Sequence, residues 1–278
     1  VTINFDVVNG ANPTSVGTNG CFTDLTLGSA STVGKIKDLR FYVSSVSLID
    51  SNGNYAPVLM TENSNQGRNV ALLDFEDSTG TCTANASAGT YTGIVGKVAP
   101  VVAPVTYVGI AFTVGVPVLS ADGSGTSIPL NHSYTAQALD NGAIKATPLP
   151  LQNTAMNWSW QSGRKFTKIE FTANTGAVTT MVHLGSTGCK GDPIQGNITN
   201  CSSPNRAFFK FATGFDASTQ KVALDLGALF AGLDLTTSKT WMSAKGVGTP
   251  QYFFDKLALD MTTGLPVESA SQTIFVIR

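Results

Sequence analysis

Apolar and polar positions alternate along most of this chain. Residues 2–8 predict an opening strand on that pattern. Residues 38–50 alternate over a longer run. Ser51, Asn52, Gly53 and Asn54 then supply a hairpin turn in which glycine can take a positive φ, and residues 56–60 read as the returning strand. Further runs predict strands over 91–98, 106–114, 155–160, 166–174, 179–184, 206–211 and 273–277. Helical spacing is scarce. Val222, Leu226, Leu229, Phe230 and Leu233 share one stripe and predict a helix over 222–233, and Tyr252, Phe253, Lys256 and Leu259 predict a shorter one over 251–259. No repeat or linker interrupts the series, and the Gly/Ser segment 120–126 reads as a loop. The expected fold is mostly β: a single-domain antiparallel β-sandwich or barrel-like fold with a few short helices, spanning residues 1–278.

Composition narrows the class. Charged residues make up 13% of the chain, against roughly 25% in an average soluble protein. Ser, Thr, Asn and Gly carry the polarity instead, as in secreted β-rich proteins. A net charge of −1 offers no basic surface for nucleic acid. The longest apolar stretch, residues 95–118, is interrupted by Lys97, Pro100, Pro104, Pro117 and glycines, so no transmembrane segment is expected. Residues 1–5 already alternate as a strand, which reads as the mature form of an exported protein after signal removal.

Four cysteines are present, none in a Cys-x-x-Cys arrangement, which favours two disulfides over a zinc site. Cys189 and Cys201 enclose a Gly/Asn/Pro loop and are expected to pair, leaving Cys21 for Cys82. Thiolate ligation of copper is the competing reading.

The candidate chemistry is sparse. No Gly-x-Ser-x-Gly elbow, Walker loop or His-Glu-x-x-His occurs, and no enzymatic activity is expected. The chain has two histidines. His132 ends Ile128-Pro129-Leu130-Asn131-His132, and His183 sits in Met181-Val182-His183-Leu184-Gly185. Imidazole is the commonest protein ligand of transition metals, although a lone histidine is more often structural. Asp74, Glu76 and Asp77 could hold calcium through hard oxygen ligands; the plainer reading is a strand end with Asp74 paired to Arg40. In Met156-Asn157-Trp158-Ser159-Trp160, a strand would set Met156, Trp158 and Trp160 on one face, either as core packing or as the wall of a soft-metal or redox site.

An ordered series of segments carries a resemblance. It runs from Leu39-Arg40-Phe41-Tyr42-Val43 through Ala71 to Asp77, Gly109 to Pro117 and Leu130-Asn131-His132. It continues with Pro148-Leu149, Met156 to Phe166 and His183-Leu184-Gly185-Ser186-Thr187-Gly188-Cys189, and ends at Cys201 with Pro204-Asn205. The series resembles the MbnP-like family of bacterial exported proteins, related to the copper-binding proteins MopE and CorA of methane-oxidising bacteria. The resemblance spans most of residues 1–260. It implies a β-rich periplasmic or surface protein that holds mononuclear copper, Cu(I) or Cu(II), through two histidines and a kynurenine made by oxidising a tryptophan. A di-haem cytochrome c peroxidase-like enzyme is the implied partner.

His132 and His183 fall in the two histidine motifs, and two imidazoles suit copper. Two departures stand out. No tryptophan lies close to His132, where Tyr134 and Gln137 occur, so Trp158 or Trp160 would have to supply a kynurenine. The region of a further cysteine pair seen in relatives here reads Trp241-Met242-Ser243-Ala244.

The leading expectation is therefore an exported copper-binding protein of copper acquisition or storage. It would use His132 and His183, with Met156, Trp158, Trp160 or Tyr134 lining the site. The alternatives are a cell-envelope structural or partner-binding protein without a metal site, and a redox partner of the di-haem enzyme.

Overall fold

The computed structural model describes the chain outside residues 15–21, 23, 77–88, 99–104, 118, 122–126, 130–136, 141, 142, 147, 148, 159–163, 177, 191–199, 247 and 268–271. A 15-stranded sheet, curled into a half-barrel, carries the architecture. Its first strands are β1 (Thr2–Asn9), β2 (Asn12–Pro13), β3 (Leu25–Leu27), β4 (Thr32–Asp50) and β5 (Tyr55–Met60). Next come β6 (Gln66–Gly67), β7 (Val70–Asp74), β8 (Gly93–Val98), β9 (Tyr107–Val114) and β10 (Lys165–Ala173). The last are β11 (Thr179–Gly185), β12 (Ala207–Phe211), β13 (Lys221–Asp225), β14 (Lys239–Trp241) and β15 (Phe275–Ile277). The main path runs β14-β11-β10-β4-β5-β8-β1-β13-β15.

The 19-residue strand β4 is the hub of the sheet. It pairs in turn with β3, β10, β7, β9 and β5. A strand this long stays in one sheet only if it bends, and register shifts at Ser44/Ser47 and Ile49/Asp50 supply the bends. Ser45 takes a φ of 52° at the first of them. The hairpin after β4 forms as the sequence predicts. Gly53 has a φ of +84°, and the Asp50 carboxylate accepts from the amides of Asn52 and Asn54 at 2.8 Å each.

Alternation buries one set of side chains in an aromatic core. Phe275 lies 4.6 Å, 5.3 Å and 5.8 Å, centroid to centroid, from Phe209, Phe112 and Phe41, all edge-on. Phe5 closes the cluster against Phe112 at 5.5 Å.

The mostly β, barrel-like expectation holds, with two exceptions to antiparallel pairing: β1 runs parallel to β13 and β11 parallel to β14. Two elements differ from their sequence reading. Residues 222–225 are strand, because Val222–Asp225 pairs with β1 on one side and β15 on the other. Only Leu226–Phe230 is helical (α1), started by the Asp225 carboxylate accepting from the Ala228 amide at 3.1 Å. The second helix, α2, is Thr249–Lys256. Residues 155–158 do not form the predicted strand, and 159 and 160 lie outside the described residues. The 3₁₀ turns Leu149–Gln152 and Thr154–Met156 occupy that part of the chain, followed by a bridge between Asn157 and Arg164. No described helix is long and apolar enough to cross a membrane.

Candidate metal centre

The site is assembled on β11, β10, β4 and β7. Val182 and Leu184 of β11 enter the apolar core, so alternation turns His183 to the opposite face of the sheet. Register does the rest. Lys168 lies opposite His183 on one side and Arg40 on the other, Glu170 lies opposite Asp38, and Arg40 lies opposite Asp74. One face of four neighbouring strands thus carries a continuous band of charge.

The band is closely connected. His183 Nε2 lies 3.0 Å from Glu170 Oε1, and Lys168 Nζ lies 3.5 Å from the same oxygen. Lys168 also donates to Asp38, which is fully buried. Asp38 takes the Arg40 guanidinium as well, with Arg40 Nε to Asp38 Oδ1 at 2.8 Å. Beyond it, Arg40 lies 3.9 Å from Asp74 and 3.9 Å from Glu76. Burial would raise the Glu170 carboxyl, but the His183 hydrogen bond and the charge of Lys168 outweigh it and hold the group down at about 2. Asp74 behaves oppositely. Burial, with Glu76 and Asp38 nearby, overcomes Arg40 and pushes it up to about 8.

His183 is 3% exposed, and its Nδ1 is buried with no hydrogen-bond partner among the described residues. The backbone beneath it is held from both sides. Ser243, at φ 56°, donates its hydroxyl to the His183 carbonyl at 3.1 Å and accepts from the Gly185 amide at 2.7 Å. The Leu184 amide donates to Thr167 Oγ1 at 3.1 Å.

Trp158 packs against the imidazole edge-on, centroid to centroid 6.2 Å, with Lys165 Nζ 5.9 Å from the indole. Gly185 makes room for that indole: a Cβ there would stand 2.5 Å from Trp158 Nε1. Lys165 also donates to the Ala155 carbonyl at 2.9 Å, tying the 3₁₀ segment to β10. Arg164, 2% exposed, donates to Asn157 Oδ1 at 2.8 Å, and burial lowers its pKa.

The residues singled out from sequence are distributed unevenly. His183 and Trp158 come together. Met156 is buried in the core at the end of its 3₁₀ turn, so Met156 and Trp158 do not share one face of a strand; Trp160 lies outside the described residues. Asp74 and Glu76 each lie 3.9 Å from Arg40, the pairing expected if that segment is structural. Cys189 and Cys201 form the expected disulfide across a hairpin. His132, Tyr134, Trp160, Asp77, Cys21 and Cys82 lie outside the described residues. Among the described residues, no three His, Cys, Asp or Glu side chains converge as a metal cage.

Sequence reasoning passed over Glu170, Lys168, Asp38 and Ser243. The alternation Lys168-Ile169-Glu170-Phe171 does mark the first two as sharing a polar face, but only the β10–β11 register puts that face under His183.

The sequence profile of the MbnP family matches residues 1–243. The chain belongs to the MbnP family. The matched span takes in His183, Glu170, Lys168, Trp158 and Ser243. A solved structure, MbnP from Methylosinus trichosporium, is 33% identical, with a TM-score of 0.79 over 100% of this chain and 97% of that one. No curated protein matches the sequence.

Proposed function

We propose that this member of the MbnP family is an exported, non-enzymatic copper-binding protein that takes its ion through His183 and His132. The observation that carries the reading is the buried Nδ1 of His183, which has no hydrogen-bond partner among the described residues while the other ring nitrogen is engaged by Glu170. A buried nitrogen acceptor without a donor is costly as pure structure, and a soft or borderline metal ion is the group that satisfies it. His183 therefore fits copper. Copper, when bound, supplies one-electron chemistry or a soft Lewis-acid centre. The protein's own residues bind and orient: His183 offers its lone pair, Glu170 engages Nε2, and Ser243 fixes the strand beneath the ring.

The edge-on contact of Trp158 with His183 supports Trp158 as the tryptophan to be oxidised to a kynurenine third ligand. The di-haem peroxidase-like partner implied by the family resemblance would perform that oxidation. Acquisition or storage of copper outside the cytoplasm is the role this reading supports.

Competition titration with a Cu(I) chelator tests the ligands. His183→Ala and His132→Ala are each expected to weaken binding at least tenfold. Wild-type affinity in His183→Ala would sink the assignment and leave that residue a structural bridge to Glu170. Intact-mass measurement on protein co-expressed with its di-haem enzyme, compared with Trp158→Phe, tests the modification.

A further inference from the structure

A neutral imidazole carries one proton, and the nitrogen that lacks it is the one that can bind a metal. The band of charge on β10 and β4 decides which nitrogen that is. Two nitrogens converge on Glu170 Oε1: His183 Nε2 at 3.0 Å and the Lys168 ammonium at 3.5 Å. An oxygen approached by an ammonium group on one side acts as an acceptor on the other, so the proton of the shared hydrogen bond belongs to Nε2. Nδ1 is then the bare nitrogen, and it is buried with no hydrogen-bond partner among the described residues. With no donor facing it there, that lone pair is the one left open to a metal.

The carboxylate is not free to turn away. Lys168 is anchored on the fully buried Asp38, and Asp38 is held in turn by Arg40 Nε at 2.8 Å. Strand register fixes all four positions: Lys168 stands between His183 and Arg40, and Glu170 stands beside Asp38. The backbone of His183 is equally constrained through the Ser243 hydroxyl. Ligation through Nε2 would require the metal to displace Glu170 and would leave Nδ1 still buried and unpaired.

We infer that Glu170 is a positioning residue that holds the proton on Nε2 of His183 and so presents Nδ1 to the metal, with Lys168, seated on Asp38, keeping Glu170 in place. The identity of the ion rests on the copper reading above; the placement of the proton does not. Outer-shell carboxylates of this kind orient a ligating imidazole and raise its basicity, and their loss costs about 10–100-fold in metal affinity.

The test separates the two claims. His132→Ala leaves one histidine in the chain, so ¹⁵N imidazole spectra of that metal-free protein report His183 alone. The expected spectrum has a protonated Nε2 and a bare Nδ1. Glu170→Gln in that background keeps it, because the amide oxygen still accepts from Nε2 and Lys168, whereas Glu170→Ala gives mixed tautomers.

With His132 present, Cu(I) affinity is expected to fall about 10–100-fold in Glu170→Ala and to recover most of the way in Glu170→Gln. A proton on Nδ1 in the metal-free protein overturns the inference. So does a Glu170→Ala protein with unchanged tautomer and unchanged affinity. Should the alanine variant fail to fold, the parent spectrum and the glutamine variant still decide. The expected tautomer in a protein that takes up no copper would support the proton placement and sink the copper reading instead.

Discussion

Asp74 and Glu170 show how far neighbours can drive the same functional group apart. Both carboxyls sit on the charged face, yet one is raised to about 8 and the other held at about 2. The consequences for stability have opposite sign. Asp74 binds its proton more tightly folded than unfolded, so its contribution is complete below about pH 4 and is lost as pH rises towards 8. Glu170 contributes above about pH 4.5, and that contribution is lost as pH falls towards 2. Asp74→Asn is therefore expected to flatten the decline in stability between pH 5 and 8, read as urea midpoints; an unchanged pH profile would contradict the assignment. His183 was legible in the sequence because histidine is rare here and sits inside a recognisable motif. Glu170 and Lys168 were not, since nothing local tells a charged strand position on a solvated face from one buried beneath a histidine.

At the scale of elements, alternation placed most of the strands it predicted to within a residue or two, because one face of each is buried and period two follows directly. The failures occurred where two periods fit the same residues. Val222, Leu226, Leu229 and Phe230 satisfy a helical stripe, but Val222–Asp225 is captured by strand neighbours on both sides, and pairing overrides local preference. Asp225 marks the switch. Its carboxylate caps α1 through the Ala228 amide at 3.1 Å and also accepts from the Gly10 amide at 2.9 Å, joining the helix start to the end of β1. Asp225→Ala should cost about 1–2 kcal/mol in chemical denaturation, the range for loss of a helix cap. The Met156–Trp158 segment failed differently: its alternation is real, but Met156 ends a 3₁₀ turn tied down by Lys165 and Asn157 makes only an isolated bridge to Arg164.

Across the whole molecule, distant parts of the chain meet in the aromatic core. Phe275, on the last strand, touches Phe41, Phe112 and Phe209, residues supplied by β4, β9 and β12. Phe275→Ala is expected to cost about 3–5 kcal/mol in urea unfolding, as for other buried aromatics, with a matching loss of near-ultraviolet signal. A far smaller cost would mean that the core closes without β15. The half-barrel also sets an order of events. β1 runs beside Lys221–Asp225, more than two hundred residues downstream, and the other edge of that partner waits for Phe275–Ile277. Contacts this remote in sequence form slowly. A chain threaded through a pore with its amino end leading would carry one edge of β1 bare until Lys221–Asp225 had emerged. That edge of β1 is thus covered only by a segment more than two hundred residues downstream.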